Sequence, residues 1–352
     1  MIPLQGDVPH TMDSERLGVG VDIGGTNTAI GVMTDSGRIV AETRFSTRGF
    51  GGPGGFVDKL AASIAQLLHE STHAAIIHSI GIACPAVNSR EGIVDNPANL
   101  GWGKVDLVGM LRHHFDYPIH LLNDGDAAVL GEVRFGVARG LSNVVLITLG
   151  TGLGAGIVID GKLVRGTNGI GGEIGHILVA PGDRVCGCGR SGCVETYVSA
   201  TGICRTATEL MGRSIDPSPL RQIAYAELTA RTISTLAQQG DPLSRMAYEV
   251  TGKHLGNLLA NLTAIFDPEA MVLYGGLIHA GDLLVKPALK AFRESVLDRY
   301  KNTVRILISQ LNDGQASILG AGSFALGALP EGSTVARGQA YKANPETSEI
   351  PR

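Results

Sequence analysis

The chain has 352 residues, 44% of them hydrophobic, enough to bury large cores and to fill about two domains. Its formal net charge of −4 gives no basic footprint for nucleic acid, and no apolar run approaches the ~18 residues that a membrane span needs. The 49 glycines are about twice the average share and gather in loops between apolar runs, where backbone must approach a ligand closely. Residues 1–15, MIPLQGDVPHTMDSE, have neither a basic n-region nor an apolar h-region, so they read as a flexible N-terminus and not as a signal peptide. The expected compartment is the cytoplasm, where thiols stay reduced, and an odd count of five cysteines fits that expectation.

In chain order, LGVGVDIGG (17–25) and TAIGVMT (28–34) read as a hairpin, with GRIVAETRF (37–45) as a third strand. DKLAASIAQLLHE (58–70) puts Leu60, Ile64, Leu67 and Leu68 on one helical face. IIHSIGIACPAV (76–87) and PIHLLND (118–124) read as strands. The segment 143–164, NVVLITLGTGLGAGIVIDGKLV, then repeats the layout of 16–40, RLGVGVDIGGTNTAIGVMTDSGRIV, at a period of about 125 residues, far longer than a solenoid repeat. Each copy is an apolar strand, a Gly/Thr turn, a second apolar strand and a tight turn. Further on come a helix (254–266) stopped by Asp267-Pro268, a strand (270–276), a helix (287–300), a strand (304–311) and a helix from about 315. The polar tail 331–352 reads as flexible. Strands and helices in alternation predict an α/β fold of two similar halves, each offering a Gly/Thr turn to a shared cleft.

The turns suit phosphate. In DIGGTN, Gly24 and Gly25 can aim backbone amides into a cleft, Thr26 and Asn27 add side-chain donors, and Asp22 ends the strand where it could hold a hydrated Mg²⁺. GTGLGAG supplies the amides of Gly150, Gly152 and Gly154 with the Thr151 hydroxyl. Neither turn is a Walker loop or a GxGxxG that opens a helix, and either one alone is also a plain hairpin turn.

DIGGTN, GTGLGAG, NDGDAAVLGE (123–132), GGEIGHI (171–177), CGCGRSGCVETYVS (186–199) and LYGG (273–276) occur together and in order. This set resembles the ROK family of sugar kinases and repressors, within the actin-like/hexokinase superfamily, and the likeness runs from about residue 16 to 328. It implies two ribonuclease-H-like (actin-like ATPase) domains around a cleft. The smaller would be 16–124 with a C-terminal helix at about 315–328. The larger would be 125–314, with a zinc-binding segment at 171–199.

Cys186, Cys188 and Cys193 form C-x-C-x₄-C, and His176 lies ten residues upstream; three thiolates and an imidazole suit a tetrahedral structural Zn²⁺. C-x-C is not the C-x-x-C of thioredoxin-like redox sites. The resemblance gives His176 a second task, facing the sugar with its other ring nitrogen. It maps the general base of phosphoryl transfer onto Asp124, which follows a strand and opens an apparent helix. Asn123-Asp124-Gly125 is also an ordinary turn signal, and Asp126 is the rival carboxylate, suited to capping the helix. The same likeness makes Asn99, Asn123, Asp124, Glu173, His176 and Glu195 the hexose contacts, and Gly275 and Gly276 the adenosine loop.

The implied activity is ATP-dependent phosphorylation of glucose to glucose 6-phosphate, with ATP, Mg²⁺ and structural Zn²⁺. Kinases of N-acetylglucosamine or N-acetylmannosamine share these motifs, and fructokinases stand further off. A sugar-responsive repressor would carry a helix-turn-helix domain before the first glycine turn, where only about 15 residues stand. A chaperone-like ATPase would leave GGEIGH and the cysteine segment unexplained. The family's habit predicts a homodimer or homotetramer with no nucleic-acid or membrane partner.

Overall fold

The computed structural model describes residues 16–71, 76–97, 100–180, 182–312 and 314–327. The predicted flexible ends, 1–15 and 331–352, lie outside them. β1 (Arg16–Ile23) alternates apolar residues with glycine, and that alternation fixes what covers each face. Leu17, Val19, Val21 and Ile23 are buried in one core with Phe56, Leu60 and Ile64 of α1 (Pro53–Ser71). The other face takes helix backbone, as described below.

β1 pairs antiparallel with β2 (Asn27–Thr34), which pairs antiparallel with β3 (Ile39–Ser46). After α1 the chain returns through β4 (Ile76–Ala83), parallel to β1. A small antiparallel sheet of β5 (Val87–Asn88), β6 (Ile93–Asp95) and β7 (Lys104–Asp106) leads to α2 (Leu107–Leu111). β8 (Ile119–Leu122) then adds to β4, giving the order β3-β2-β1-β4-β8.

α3 (Asp124–Phe135) leads to a second sheet of the same plan. β9 (Val144–Leu149), β10 (Leu153–Ile159) and β11 (Lys162–Leu163) form the antiparallel part. α4 (Ala200–Arg213), α5 (Ala230–Gln238) and α6 (Pro242–Phe266) follow. Then come β12 (Ala270–Tyr274), α7 (Asp282–Ser295), β13 (Arg305–Ile308) and α8 (Gln315–Ala325). The order is β11-β10-β9-β12-β13, so the repeat read at 16–40 and 143–164 is a repeat of structure. β9 is buried on both faces: Val145, Ile147 and Leu149 join the core of α4 and α6, whereas Val144 and Leu146 meet α3 and α8.

α8 crosses back to the first sheet, backbone against backbone. A Cβ on Gly20 would lie 2.0 Å from the Ile318 carbonyl oxygen, and one on Gly81 2.0 Å from that of Ala321. The same helix meets α3 so closely that a Cβ on Gly320 would fall 1.7 Å from the Ala127 carbonyl oxygen. Glycine is required there because no side chain fits between the two helices. The pair α3/α8 thus fills the space between the two sheets.

Several boundaries differ from expectation. The helix expected at 254–266 is the C-terminal half of α6, which begins after the cap Asp241. The helix expected at 287–300 starts at Asp282 and stops at Ser295; Pro287 lies inside it, not at its start. α1 begins at Pro53, where a missing amide costs nothing because first-turn amides have no helical partner. Asp126 does not cap α3: Asn123 does, its side-chain oxygen accepting from the Gly125 amide. No helix among the described residues is long and apolar enough to cross a membrane.

Candidate active site

The two Gly/Thr turns open on one cleft of about 410 Å³ between the sheets. In the first, the Gly24 amide donates to the Asn27 carbonyl (3.0 Å) and Arg48 Nε donates to the Gly25 carbonyl (3.1 Å). In the second, the Gly150 amide donates to the Gly152 carbonyl (3.1 Å) and the Gly154 amide to Thr148 Oγ1 (3.0 Å). The amides of Gly25, Thr151 and Gly152 donate to no group among the described residues, so they are the donors left for an anion.

The second turn is braced from outside. The Ala200 amide donates to the Gly150 carbonyl (2.8 Å) and Thr201 Oγ1 to the Thr151 carbonyl (3.0 Å), tying the turn to the start of α4. Glu195 Oε2 accepts from the Leu153 amide (2.9 Å), and a Cβ on Gly152 would lie 2.3 Å from the same oxygen. Gly152 is glycine because a carboxylate occupies the place of its side chain.

Asp124 opens α3, where its Oδ1 accepts from the Gly125 amide (2.8 Å). Burial pushes its carboxyl above the usual carboxylate range, while the Gly125 amide and its own backbone amide oppose that shift. Asp22 at the end of β1 is raised to about 7, first by burial and then by the Asp124 charge, with Arg44 opposing. Glu173 is also raised, by burial first and then by Asp124 and Glu195, with His176 opposing. A single carboxylate, Asp124, therefore lies within electrostatic reach of the first phosphate turn and of Glu173. Asp126 is buried beside this group and raised to about 8 by burial, with Arg165 opposing.

His176 turns its two nitrogens to different partners. Nδ1 is 3.6 Å from Cys186 Sγ, and Nε2 is 3.9 Å from Glu173 Oε2. The ligand atoms of His176, Cys186, Cys188 and Cys193 all lie within 4.8 Å of one another, with Cys188 Sγ 3.7 Å from Cys193 Sγ. Thiolates about 2.3 Å from a central metal stand about 3.8 Å apart, so the cluster has the dimensions to hold one ion. The Arg190 backbone amide lowers Cys188 to about 6, whereas burial raises Cys186 and Cys193. A cation among them would ionise all three. Cys186 Sγ also donates to Glu195 Oε1 (3.6 Å), so one carboxylate touches both the cysteine cluster and the second turn.

The structure brings Asp22, Gly24, Gly25, Asn123, Asp124, Gly150, Thr151, Gly152, Gly154, Glu173, His176, Glu195 and Gly275 to the walls of this cleft. Thr26 and Asn27 lie exposed on the turn, off those walls, and Gly276 lines a neighbouring cavity beside α5. Asn99 lies outside the described residues. Asn123 spends its side-chain oxygen on the cap of α3.

Four contributors escaped the sequence reading. Thr148 holds Gly154, and Ser317 lines the cleft from α8. Tyr274 also lines it, and its hydroxyl accepts from the Gly314 amide (2.8 Å). Tyr274 had a local signal, its place directly before Gly275-Gly276. Arg184 braces the sugar side: Nη1 donates to the Thr196 carbonyl (2.7 Å), Nη2 to Thr206 Oγ1 (3.0 Å), and Nε and Nη2 to Glu209 (2.8 Å each). Its guanidinium stacks 4.2 Å from the Tyr197 ring centre.

The comparisons agree with this geometry. A glucokinase from Halalkalibacterium halodurans is 34% identical over 314 residues, 88% of this chain and 94% of that one. A ROK family glucokinase from Streptomyces griseus, in complex with glucose and AMPPNP, superposes with a TM-score of 0.73 and 32% identity over 88% of this chain and 99% of that chain. A ROK hexokinase from Thermus thermophilus gives 0.77 and 28%, over 89% of this chain and 98% of that chain. Residues 18–328 match the ROK family, and with the duplicated sheets and shared cleft the conclusion is plain: the chain belongs to the ROK family.

Proposed function

We infer that this chain is an ATP-dependent hexose kinase that converts glucose to glucose 6-phosphate. The observation that carries the mechanism is the position of Asp124, within electrostatic reach of Asp22 on one side and Glu173 on the other. The free amides of Gly25, Thr151 and Gly152 hold the phosphate oxygens of ATP, and the turn at Gly275, on the cleft wall after β12, receives the nucleoside.

Glu173 and Glu195 accept from hydroxyls of the hexose and His176 donates to one through Nε2–H, with Asn99 and Asn123 as further contacts. The 6-hydroxyl oxygen attacks the γ-phosphorus, the bond to the β,γ-bridging oxygen breaks, and ADP leaves. Asp124 takes the hydroxyl proton as the new O–P bond forms. Asp22 is the residue to hold a hydrated Mg²⁺, which supplies charge neutralisation on the phosphates. The ligand set His176, Cys186, Cys188 and Cys193 fits Zn²⁺, which supplies rigidity to the loop that carries Glu195. The lobes are 16–124 with α8, and 125–314.

A coupled assay with ATP and Mg²⁺ tests the reading. Glucose should exceed N-acetylglucosamine, N-acetylmannosamine, mannose and fructose by at least ~10-fold in kcat/KM. If an N-acetylhexosamine outperforms glucose, the kinase stands and the sugar changes.

A further inference from the structure

A second cavity, about 250 Å³, lies away from the cleft, on the far side of the β4–β8 edge. Its walls come from both halves of the molecule: Ser89 and Arg90 in the turn after β5, Arg112 at the end of α2, His120 on β8, Arg165 after β11 and Phe324 on α8. Phe324 is the floor between His120 and Arg165. Its ring meets His120 edge-on at 5.6 Å, and the Arg165 guanidinium stands 5.4 Å above it. The two halves touch here, since a Cβ on Gly169 would lie 2.9 Å from Ser89 Oγ.

The Arg90 and Arg112 side chains and the Ser89 hydroxyl of this cavity are unspent. No hydrogen bond or ion pair with a described residue engages the Arg90, Arg112 or Arg165 guanidinium. Ser89 Oγ is buried and has no hydrogen-bond partner. Two carboxylates also line the walls, but Asp106 is committed to the Gly109 amide (2.8 Å) and Glu91 is exposed to solvent. Two unpaired guanidinium groups, Arg90 and Arg112, and a third, Arg165, that shares the field of Asp126, surround the orphaned hydroxyl; such a donor set suits a compact anion. The volume is below the ~300 Å³ at which ordinary ligand pockets begin, room for a phosphate with a short carbon chain.

We propose that this cavity is a regulatory site for a small phosphate monoester, held by Arg90, Arg112, Arg165 and Ser89, and that its occupancy raises affinity for the hexose. Arg165 begins the segment 165–173 that ends on Glu173. An anion shared between Arg165 and the Arg90/Arg112 pair fastens that segment to the first half of the molecule. The coupling rests on Glu173 as a hexose contact; the binding does not.

Calorimetric titration of the full chain with glycerol 3-phosphate and with inorganic phosphate tests it, with glucose and AMPPNP present to fill the cleft. Glycerol 3-phosphate should bind with one site per chain. The double variant Arg90→Ser/Arg112→Ser should weaken it at least ~10-fold, and Arg90→Lys/Arg112→Lys should recover part of that loss. Without the anion, the serine variant should keep wild-type kcat and KM. With it, the wild-type KM for glucose should fall about 5-fold while the serine variant's stays put. Equal binding by wild type and serine variant overturns the site. Tighter binding of inorganic phosphate overturns the monoester class. Anion binding with an unchanged KM for glucose overturns the coupling.

Discussion

The β1–β2 turn and the β9–β10 turn are copies of one device, yet they are held in opposite ways. The first is held from the end of β3 alone, by the Thr47 amide on the Thr26 carbonyl (2.9 Å) and the exposed Arg48 on the Gly25 carbonyl. The second is fastened to α4 at Gly150 and Thr151, and to Glu195 at Leu153. Through Cys186 and His176 that bracing reaches the cysteine cluster and Glu173. The longer segment between β11 and α4, which carries His176, the cysteines and Glu195, makes that difference. The first loop keeps its buried acid, Asp22, and little else. On the proposed function, damage to the second half should register first in sugar binding and less in ATP binding, and damage to the first in Mg²⁺ and ATP binding.

Asp124 joins the two halves, so its loss should spare neither. Asp124→Asn keeps shape and cannot accept the proton; kcat should fall by at least ~10² with glucose and ATP binding within several-fold. Normal turnover by this variant, with Asp126→Asn inactive, would move the base two residues on. Next in size is the metal. Zinc analysis of purified protein should find about one ion per chain, and Cys188→Ser should lose it together with glucose affinity. ATP affinity should fall far less, because the first loop owes nothing to the cluster and only the second turn feels its loss through Glu195. Full activity in a zinc-free preparation with Mg²⁺ restored would break the contrast between the halves.

What the sequence made legible was whatever chemistry is local. Both turns, the strands beside them and the cysteine cluster are each written within a few dozen residues. Partners far apart in the chain were not legible. Nothing near Gly20 in the chain announces Ile318, which arrives against it from the last helix. Nothing beside Arg184 marks it either, yet it is 8% exposed and bonded to residues as far on as Glu209. Asp126 was read as a cap because aspartate caps helices, but Asn123 satisfies the Gly125 amide first. Ser317 faces the cleft only because α8 returns to the first sheet.

Glu195→Ala should reduce kcat/KM for glucose by about 1.5–3 kcal/mol, the range for a lost charge-assisted hydrogen bond. Its effect on the second turn should appear as a smaller rise in KM for ATP, since the Leu153 amide loses its acceptor. On the first loop the probe is pH. Asp22 must be ionised to hold Mg²⁺, and burial with the Asp124 charge raises its carboxyl to about 7. Protons therefore compete with the metal below that value. Mg²⁺ affinity should fall about tenfold per pH unit below ~7 and level off above it, the slope of a one-proton exchange. Asp22→Asn should bind Mg²⁺ weakly with no such slope; a slope that survives the substitution assigns the proton elsewhere.

The smallest expected effect discriminates most finely. Arg184 holds the Thr196 carbonyl, one residue from Glu195, while Glu209 and Thr206 hold Arg184. Lysine at this position keeps the charge and loses the fork, so it can serve the Glu209 pair or the Thr196 carbonyl but not both. Glu195 then keeps its partners with a loosened backbone beneath it. Arg184→Lys should raise KM for glucose about 5-fold, with kcat within twofold and KM for ATP unchanged, a cost near 1 kcal/mol. Arg184→Ala should add a drop in Tm, since it takes the donor from the Thr196 carbonyl and removes the stacking on Tyr197. Equal rises in KM for glucose and ATP in the lysine variant would mean that Arg184 steadies the second half as a whole and not the sugar side alone. In that case the bracing of the second turn runs through α4, and Glu195 is only one of its fastenings.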